Sequence, residues 1–418
     1  MGWCGIKSRG VYIDLFSGCG GFSLGLGQAG WSGLFAVEKD HMAFETFKHN
    51  LIEGKYSHFN WPDWLPQKAT TIQEILANFP SQLSSLKGHI DLIAGGPPCQ
   101  GFSMAGRRKE DDPRNKLSEE YIKMVKLVSP KYLVLENVKG FNSRFKDKAG
   151  NQSKVPYSEI VKMNLESLGY KVFTDVIDSS YFGVPQNRVR FIMVGIRKDL
   201  LGSELDPFSL LNEIQESFLN DKGLPRKPIS VKSAISDLEL TNAEVIYHSG
   251  SEIKGFKKLN YSTPKKLTAY QKAMRKGLKR QFKPNSLRIA RHKPETVEKF
   301  KTIQSICEPG KSLTDEQKEI IGTKKQVITV LDPSLPSRTL TTLPDDLLHY
   351  SEPRILTVRE NARIQSFPDD FEFKGKYTTG GERRTQECPR YTQVGNAVPP
   401  FMGEVLGRLI GVLNREAS

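Results

Sequence analysis

Cys99 lies in the segment DLIAGGPPCQGFS, residues 91–103, where a short apolar run is followed by glycines, two prolines and a thiol. The apolar run predicts a buried strand, and open α/β sheets bind their ligands just beyond the carboxyl ends of the strands. Pro97 and Pro98 disfavour a helical backbone before the cysteine, and the glycines permit close approach of a ligand. Cys99 is therefore a candidate nucleophile. The competing interpretation is an inert buried cysteine, since free cysteine often packs as a small apolar residue.

A second candidate site is the glycine-rich turn DLFSGCGGFS, residues 14–23, which follows the first predicted strand and opens the first predicted helix. Glu38 ends the next strand, 20 residues after Gly18, where a carboxylate can accept hydrogen bonds from both hydroxyls of a ribose. Ser23 stands where the third glycine of a GxGxxG pattern would be. This departure disfavours a nicotinamide dinucleotide and favours a cofactor with a ribose but no pyrophosphate. The alternative is an ordinary strand-to-helix turn.

Three further polar segments are predicted near the same edge of the sheet. Glu136 follows the fourth apolar run, so its carboxylate should share a crevice with Cys99. Arg188 and Arg190 lead into the last strand, either as a surface ion-pair feature or as a clamp for phosphate or base. Asn396, in QVGNAVPP, precedes a final helix whose amino end could receive a ligand carboxylate, or it simply caps that helix.

These residues need a sheet to position them, and the first 200 residues supply the pattern for one. Strands are expected at residues 11–16, 34–38, 90–94, 132–136, 171–177 and 190–195, with helices at 22–29, 42–50, 72–79, 119–128 and 157–168. This alternation predicts an α/β fold with a parallel, doubly wound, Rossmann-like sheet. From 201 to 350 the pattern weakens, which predicts a second, smaller domain. Further helices are expected at 357–366 and from Pro400 to about residue 413.

Composition restricts the class of protein. A chain of 418 residues is long enough for two domains, and its five cysteines show no zinc-ligand spacing, so we expect neither a metal nor a disulfide framework. The first residues lack the apolar core of a signal peptide, and no apolar run is long enough to cross a membrane. We therefore expect a soluble cytoplasmic protein that does not act at a membrane.

The formal net charge of +14 is concentrated in one segment. Residues 254–301 hold 12 lysines and 4 arginines against only Glu295 and Glu298, so this segment by itself carries the whole excess. A concentrated positive field predicts a polyanionic partner such as nucleic acid; the alternative is a solvated basic surface. Four arginines of the segment are candidates for contacts to bases or phosphates: Arg275, Arg280, Arg288 and Arg291.

The chain resembles the cytosine-C5 DNA methyltransferases of bacterial restriction systems. The resemblance covers residues 11–400 and rests on seven segments in the order typical of that family: DLFSGCGGFS, VEKD, GGPPCQGFS, ENV, QNRVR, RILTVRENARIQSFPD and QVGNAVPP. It implies transfer of a methyl group from S-adenosylmethionine to C5 of a flipped-out cytosine in a specific duplex sequence, leaving S-adenosylhomocysteine, without a metal.

The resemblance also implies roles for individual residues. The catalytic residues are Cys99, as nucleophile, with Glu136, Arg188 and Arg190. The cofactor-binding residues are Phe16, Ser17, Gly18, Cys19, Gly20, Gly21, Glu38, Lys39, Thr71, Ile72, Gly96, Pro98, Leu117, Asn396 and Val398. The substrate-binding residues are Pro98, Gln100, Ser103, Arg107 and Gln186, with the basic loop 103–109 closing over the flipped base. Thr71 departs from the family, which usually has an acidic residue at the adenine amino group.

The implied domain organisation has four parts. Residues 1–200 form the catalytic and cofactor-binding domain, 201–350 a target-recognition domain, 351–391 a hinge segment, and 392–418 a C-terminal helix that returns to the catalytic domain. The expected partner is double-stranded DNA, and a cognate restriction endonuclease is a further candidate partner. We expect a monomer, associated with the nucleoid in a bacterium.

Two other functions use the same scaffold. An RNA cytosine-C5 methyltransferase would need the same nucleophile, although the large basic insert favours duplex DNA. A non-catalytic nucleic-acid-binding module would not need both Cys99 and Glu136. A nicotinamide-dependent dehydrogenase is disfavoured by Ser23 and by the lack of a hydride-transfer constellation. The bases that are recognised depend on which side chains of 201–350 reach the DNA grooves.

Overall fold

The structure is a computed structural model of the 418-residue chain and describes residues 9–98, 116–144, 155–200, 206–242, 244–247, 255–378 and 386–416. The chain divides into two compact units. Unit 1 comprises Met1–Asp178, Val189–Glu216 and Pro400–Ser418, and unit 2 comprises Ser179–Arg188 and Ser217–Pro399.

Unit 1 contains a six-stranded sheet, and all six strands expected from the sequence are present. They are β1 (Val11–Leu15), β2 (Ser32–Val37), β3 (Leu92–Gly95), β4 (Tyr132–Val138), β5 (Tyr170–Asp178) and β7 (Val189–Arg197), in the spatial order β2-β1-β3-β4-β7-β5. The pairs β1–β2, β1–β3 and β3–β4 are parallel, as the alternating pattern predicts. The order reverses direction beside β1, and ligands bind at such a switch point in α/β sheets.

The last strand differs from the expectation of an all-parallel sheet. β7 runs antiparallel to both of its neighbours, β4 and β5. The chain between β5 and β7 is only ten residues long, which is too short for the helical crossover that joins parallel neighbours. Its only sheet strand is β6 (Gln186–Asn187), which belongs to unit 2 and pairs with β11 (Ser337–Arg338).

The helices of unit 1 cover the sheet. They are α1 (Gly21–Gln28), α2 (His41–Phe47), α3 (Ile72–Asn78), α4 (Pro80–Ser85), α5 (Lys116–Val128), α6 (Tyr157–Ser167) and α14 (Pro400–Glu416), while α7 (Leu211–Lys222) spans the boundary between the units. One large apolar cluster joins the strands of the sheet to α3, α4, α5 and α6, and its fully buried members include Ile13, Phe35 and Ile93.

The C-terminal helix packs closely on α1. A Cβ built on Gly25 would lie 2.3 Å from the carbonyl oxygen of Pro400 and 2.4 Å from the amide nitrogen of Glu404. The indole of Trp31 also donates a 2.9 Å hydrogen bond to the carbonyl of Gly407. The helix begins at Pro400 rather than within QVGNAV, because proline suits the first turn of a helix and breaks one that would run through it. Residues 390–396 form a separate helix instead.

Unit 2 is made of short elements. Its strands are β6, β8 (Glu244–Tyr247), β9 (Lys257–Asn260), β10 (Thr329–Val330), β11 and β12 (Leu347–Leu348), and its helices are α8 (Val231–Ile235), α9 (Ala269–Met274), α10 (Pro294–Ile306), α11 (Asp315–Ile321), α12 (Val358–Ile364) and α13 (Arg390–Asn396). The helix expected at 357–366 is α12, which Thr357 begins by capping the backbone at Glu360.

Buried ion pairs hold unit 2 together. The guanidinium of Arg363 is fully buried between the carboxylates of Asp237 and Asp369, with its Nε 2.5 Å from Asp369. Arg275 pairs with the same Asp369 at 3.0 Å. Arg275 was a candidate for a DNA contact, but it is buried and ion-paired, so it acts in the interior of unit 2. Breaking such a pair leaves an uncompensated buried charge, which is strongly destabilising.

We expect Gly25→Ala to lower the stability of unit 1 by about 1–3 kcal/mol, because the added methyl group meets backbone atoms of α14 that cannot turn aside. Thermal unfolding of the two proteins would measure the change.

The matched control is Gly411→Ala on α14. The three atoms nearest the added Cβ there all belong to the flexible side chain of Arg9. Alanine is favoured over glycine within helices, so this variant should be as stable as the parent or more so. Equal destabilisation by both substitutions would contradict the close backbone contact.

Candidate active site

The turn after β1 adopts a backbone that few residues tolerate. Phe16 has a φ of 63°, Gly18 of 56° and Gly20 of 93°, all in the left-handed region. The amide of Ser17 donates a 3.0 Å hydrogen bond to the carbonyl of Val37, which ties the turn to the end of β2. A non-glycine residue held at positive φ is strained, and such strain is concentrated at functional sites.

Glu38 closes the other side of this turn. One carboxylate oxygen accepts a 2.9 Å hydrogen bond from the amide of Gly18, and the other accepts a 2.7 Å bond from the amide of Asp40. Burial raises the pKa of the Glu38 carboxyl above its ordinary value, and these two backbone bonds oppose that shift. Each carboxylate oxygen keeps a second lone pair, so Glu38 can still accept from a ligand hydroxyl.

The turn has the space and the polar groups that a nucleoside needs. A Cβ built on Gly18 meets no described atom within 4 Å, so the backbone there is open to a ligand. The hydroxyl oxygen of Ser17 is buried and has no hydrogen-bond partner among the described residues. Buried polar groups are nearly always paired in native structures. A polar ligand in this turn would supply the missing partner, so the residues present fit an adenosyl cofactor.

Thr71 lies beside Glu38, because the amide of Thr70 donates a 2.7 Å bond to the carbonyl of Glu38. The Thr71 hydroxyl caps α3 and donates to the carboxylate of Glu74 at 2.9 Å. Backbone and hydroxyl hydrogen bonds from Thr71 lower the pKa of Glu74. The exposed carboxylate of Glu74 is therefore held against Thr70 and Thr71, three residues after the position where the sequence departs from the family pattern.

The second half of the site lies at the ends of β3 and β4. A Cβ built on Gly96 would be 3.3 Å from Oε2 of Glu136, so the glycine lets the chain pass directly against this carboxylate. Oε1 of Glu136 forms an ion pair with Nε of Arg190 at 2.9 Å, and each side chain is 12 % exposed. Arg190 lies on β7, opposite Val138 of β4. The structure thus brings together Gly96, Glu136 and Arg190.

Asn137 fixes the chain that leads to Cys99, and sequence reasoning assigned it no role. Its side-chain amide is buried and donates a 3.2 Å hydrogen bond to the carbonyl of Pro97. Its side-chain oxygen accepts from the amide of Val138 at 2.9 Å. The ENV segment therefore places the carboxylate of Glu136 at this edge of the sheet. One residue later, Asn137 anchors the proline pair. Only the position of Asn137 after Glu136 hinted at this.

Several predicted residues lie outside the described part of the chain. These are Cys99, Gln100, Ser103 and Arg107, together with the rest of the basic loop 103–109. Pro98 is the last described residue before them and is partly exposed. Cys19, in the glycine turn, is almost fully buried, and burial raises the pKa of its thiol to about 12. It cannot serve as a thiolate near neutral pH, and any cofactor contact would come from its backbone.

Other predicted residues take the following places. In unit 1, Gly20 caps α1, Gly21 opens it, Lys39 is exposed, Ile72 is buried at the start of α3, and Leu117 is half-buried on α5. In unit 2, Asn396 is exposed at the end of α13, and Val398 is half-buried.

Gln186 and Arg188 are buried inside unit 2. The Gln186 amide nitrogen donates to the side-chain oxygen of Gln365 at 2.8 Å, and its oxygen accepts from the amide of Leu340 at 2.9 Å. Arg188 donates a 3.3 Å bond to the carbonyl of Gly395. In this structure both side chains bind the protein itself, so a direct contact to substrate by either stays a prediction.

The described residues contain neither a metal-binding cluster nor a membrane-spanning helix. No group of three or more His, Cys, Asp or Glu side chains there could hold a metal ion. No helix in the same part of the chain is both long and apolar enough to cross a membrane.

Comparison with known proteins places the chain in a family. The family model for C-5 cytosine-specific DNA methylases matches residues 11–411. The chain is 32% identical over 413 residues to the type II methyltransferase M.DdeI of Desulfomicrobium norvegicum, covering 95% of this chain and 88% of that protein. It is also 32% identical over 408 residues to the type II methyltransferase M1.HphI of Haemophilus parahaemolyticus, covering 97% and 87%.

A solved structure supports the fold. A DNA modification methyltransferase encoded within a prophage of E. coli superposes with a TM-score of 0.64 at 23% identity, covering 97% of this chain and 99% of that one. The Rossmann-like α/β fold expected from the sequence is thereby confirmed.

The glycine turn also contains a buried acid that sequence reasoning missed. Ser23 donates a 2.5 Å hydrogen bond to the carboxylate of Asp14, and both side chains are buried. Burial raises the pKa of Asp14 to about 7; the charge of Glu38 adds to this shift, whereas the Ser23 bond opposes it. The serine that replaces the expected glycine thus supports the carboxyl that ends β1.

We expect Asp14 to make stability depend on pH. An acid whose pKa is higher in the folded protein stabilises it fully below the unfolded pKa, near 4, and this contribution is lost as pH rises through about 7. Asp14→Asn keeps an acceptor for Ser23 but cannot ionise. The wild type should therefore lose stability relative to Asp14→Asn between about pH 4 and pH 7. Denaturant unfolding of both proteins across that range would test this, and parallel curves would contradict it.

Proposed function

The chain belongs to the C-5 cytosine-specific DNA methylase family, and we propose that it uses Cys99 to methylate C5 of a flipped-out cytosine within a specific duplex sequence. The observation that carries this proposal is the Glu136–Arg190 pair at the end of β4, directly against the glycine that leads to Cys99. Family membership supports S-adenosylmethionine as the methyl donor and DNA as the substrate.

The reaction needs a nucleophile because C5 of cytosine is too electron-poor to attack a methyl group directly. In the proposed mechanism the Cys99 thiolate adds to C6, which breaks the aromaticity of the ring and makes C5 nucleophilic. C5 would then form a bond to the methyl carbon while the bond from that carbon to the sulfonium sulfur breaks, which leaves S-adenosylhomocysteine. Loss of the C5 proton and cleavage of the Sγ–C6 bond restore the aromatic ring and free the thiolate. S-adenosylmethionine supplies the methyl group on a positively charged sulfur.

Glu136 and Arg190 have complementary tasks in this mechanism. Addition at C6 places negative charge on N3 and O2 of the base. A proton shared between Glu136 and N3, and the guanidinium of Arg190 near O2, stabilise that charge. In the described residues the two groups bind each other at 2.9 Å. Entry of the base would replace this contact with contacts to N3 and O2. The charges of Glu136 and Arg190 therefore neutralise each other until the substrate arrives.

The cofactor is proposed to bind the turn after β1. The buried, unpartnered hydroxyl of Ser17 and the open backbone at Gly18 support binding there. Glu38 would orient the ribose hydroxyls, and Phe16, held at positive φ and partly exposed, can pack on the adenine ring. Glu74, anchored by Thr70 and Thr71, offers a carboxylate for the adenine amino group in place of the residue that the family pattern has at Thr71.

We further propose that the segment 201–350 recognises DNA and that the chain is the modification enzyme of a restriction system. The excess positive charge of residues 254–301 supports the first point, because neutralising phosphates supplies much of the affinity for DNA. The two relatives named type II methyltransferases, which match over nearly the whole chain, support the second. A cognate endonuclease, a monomeric state and a cytoplasmic location belong to the same proposal.

We expect the wild type to form a covalent adduct with duplex DNA in which 5-fluorocytosine replaces cytosine, because fluorine at C5 prevents the proton loss that frees the thiolate. Cys99→Ser should form none and should transfer no labelled methyl group. A denaturing gel would measure the adduct, and bisulfite sequencing of methylated plasmid would locate the target.

Cys388→Ser is the matched control, since Cys388 is a partly exposed cysteine in unit 2, and it should trap DNA as the wild type does. An adduct that persists in Cys99→Ser would refute Cys99 as the nucleophile. Transfer to transfer RNA but not to DNA would favour the RNA enzyme instead.

We expect Asn137→Ala to slow methyl transfer by about 10- to 100-fold, because Pro97 loses the bond that aims the chain toward Cys99, and small misplacements of reacting groups are costly. The affinity for S-adenosylmethionine should stay within about twofold, since the hydrogen bonds of the Asn137 side chain go to Pro97 and Val138. Single-turnover rates and calorimetric binding would separate the two quantities.

Asn414→Ala is the control for this prediction. Asn414 also donates from its side chain to a backbone carbonyl, that of Arg9, but at the end of α14. It should change the methyl-transfer rate less than twofold. Equal losses of rate in both variants would show that Asn137 acts only on general stability.

A further inference from the structure

Arg288 in unit 2 is held by two aromatic rings. Its guanidinium carbon lies 4.2 Å from the ring centroid of Phe256 and 3.8 Å from that of Tyr377. Both distances are within the range of strong cation–π contacts. The planar guanidinium therefore cannot swing freely, and its in-plane N–H groups are the donors left to meet a ligand.

The backbone around Arg288 is fixed as well. The amide of Leu259 donates to the carbonyl of Leu287 at 3.1 Å, and the amide of Ile289 donates to the carbonyl of Lys257 at 2.8 Å. These bonds on either side of Arg288 form an antiparallel bridge between Arg288 and Lys258 of β9, which pairs with β8. The arginine is thus presented from an ordered ribbon rather than from a loose loop.

Unlike three buried arginines of unit 2, Arg288 has no anionic partner among the residues that the structure describes. Arg275, Arg354 and Arg363 each form an ion pair with an aspartate or glutamate. For Arg288, no hydrogen bond and no carboxylate within 4.0 Å occurs among the residues that the structure describes. Its side chain is half-buried, so the charge is neither fully hydrated nor neutralised by the protein.

The surroundings add positive charge instead of removing it. The guanidinium carbon of Arg390 lies 4.4 Å from the Tyr377 ring, and that of Arg291 lies 5.5 Å from the Phe256 ring. Burial lowers the pKa of Arg288; Tyr377 and Tyr391 oppose this shift, whereas the charge of Arg390 adds to it. Two aromatic rings thus gather three guanidinium groups in one place, an arrangement that an anion would stabilise.

We propose that Arg288 is a preformed binding site for a backbone phosphate of duplex DNA. A phosphate diester offers two in-plane acceptor oxygens, which match two N–H donors of one guanidinium, and it neutralises the uncompensated charge. The edge of a guanine offers similar geometry but no charge, so it would leave the excess in place. A phosphate therefore matches both the geometry of the guanidinium and its uncompensated charge.

This inference rests on the proposed function, since it takes duplex DNA as the substrate. Among the arginines of the basic segment 254–301, Arg288 is the one whose contacts suit a phosphate. Arg275 is committed to Asp369, and Arg280 is exposed on the surface without an aromatic contact among the described residues. The sequence does not indicate which of the four arginines of this segment contacts DNA. Their contacts in the structure distinguish them.

The test is the affinity of the full chain for a duplex of unrelated sequence, measured by fluorescence anisotropy over a series of salt concentrations. Non-specific binding depends almost wholly on phosphate contacts. Arg288→Gln should weaken binding about tenfold at low salt, and the slope of log K against log salt should become shallower by about 0.9, the value for one phosphate contact. Arg288→Lys keeps the charge and should restore the slope.

Arg280→Gln is the matched control, because it removes one positive charge from the same segment without disturbing the stacked rings. It should weaken binding less than about threefold. Equal weakening by both variants would overturn the proposal, since Arg288 would then contribute only to the general field. Unchanged binding to unrelated DNA with reduced methylation of the natural target would also overturn it, because Arg288 would then contact a base.

Thermal unfolding of each variant would show whether it is folded. If Arg288→Gln does not fold, the comparison of Arg288→Lys with Arg288→Met takes its place. If Arg288→Lys then kept the wild-type salt slope for unrelated DNA while Arg288→Met lost it, a phosphate contact would be supported. The proposal would be wrong if the methionine variant bound as the wild type does. Failure of the wild type to bind any duplex would instead refute the proposed DNA substrate.

Discussion

The parallel pairing of β3 with β4 is the constraint on which the candidate site depends. Gly95 lies opposite Leu135 in this pairing, so the next residues along each strand, Gly96 and Glu136, emerge side by side at the carboxyl edge. Any Cβ at position 96 would stand 3.3 Å from the carboxylate, and a larger side chain would displace it. A shift of one residue in this register would turn Glu136 to the other face of the sheet and separate it from the chain that leads to Cys99.

The turn after β1, which is proposed to bind the cofactor, lies at the same edge of the sheet. The β1–β2 part and the β3–β4 part of this edge are stabilised in opposite ways. At β1 and β2 the turn is strained, with Phe16 at positive φ, and backbone amides bind the carboxylate of Glu38. At β3 and β4 the backbone is anchored by a side chain, through the bond from Asn137 to Pro97. The first arrangement leaves polar groups such as the Ser17 hydroxyl ready for a ligand. The second fixes the backbone at Pro97, two residues before the proposed nucleophile Cys99.

Unit 2 shows how differently a protein can use one residue type. Arg363 and Arg275 share the carboxylate of Asp369 in the interior, where the low dielectric makes such pairs costly to break. Arg288 is held by aromatic rings and has no described carboxylate partner. The first kind of arginine stabilises the unit. The second keeps its charge available, which is what recognition of a polyanion requires.

Much of this protein follows from the sequence. Apolar runs at a strand's length gave all six strands of the sheet, because a strand buried on both faces must be apolar nearly throughout. Residues at the ends of those runs, among them Glu38 and Glu136, are predicted at one edge because the carboxyl ends of parallel strands meet there. The antiparallel direction of β7 was missed, since residue type does not encode strand direction and only the short connection from β5 decides it.

The contacts between residues distant in the chain were beyond the sequence. Asn137 meets Pro97 across 40 positions, Gln186 meets Gln365 across 179, and Arg275 meets Asp369 across 94. Charge and spacing show that Arg275 and Arg288 are basic and near one another, but they do not show which is neutralised in the interior. The family, the positions of the strands and the chemical groups at the edge of the sheet thus follow from the order of residue types. The tertiary structure decided which polar groups bind each other and which remain for a ligand, because that depends on partners that only folding brings within hydrogen-bonding distance.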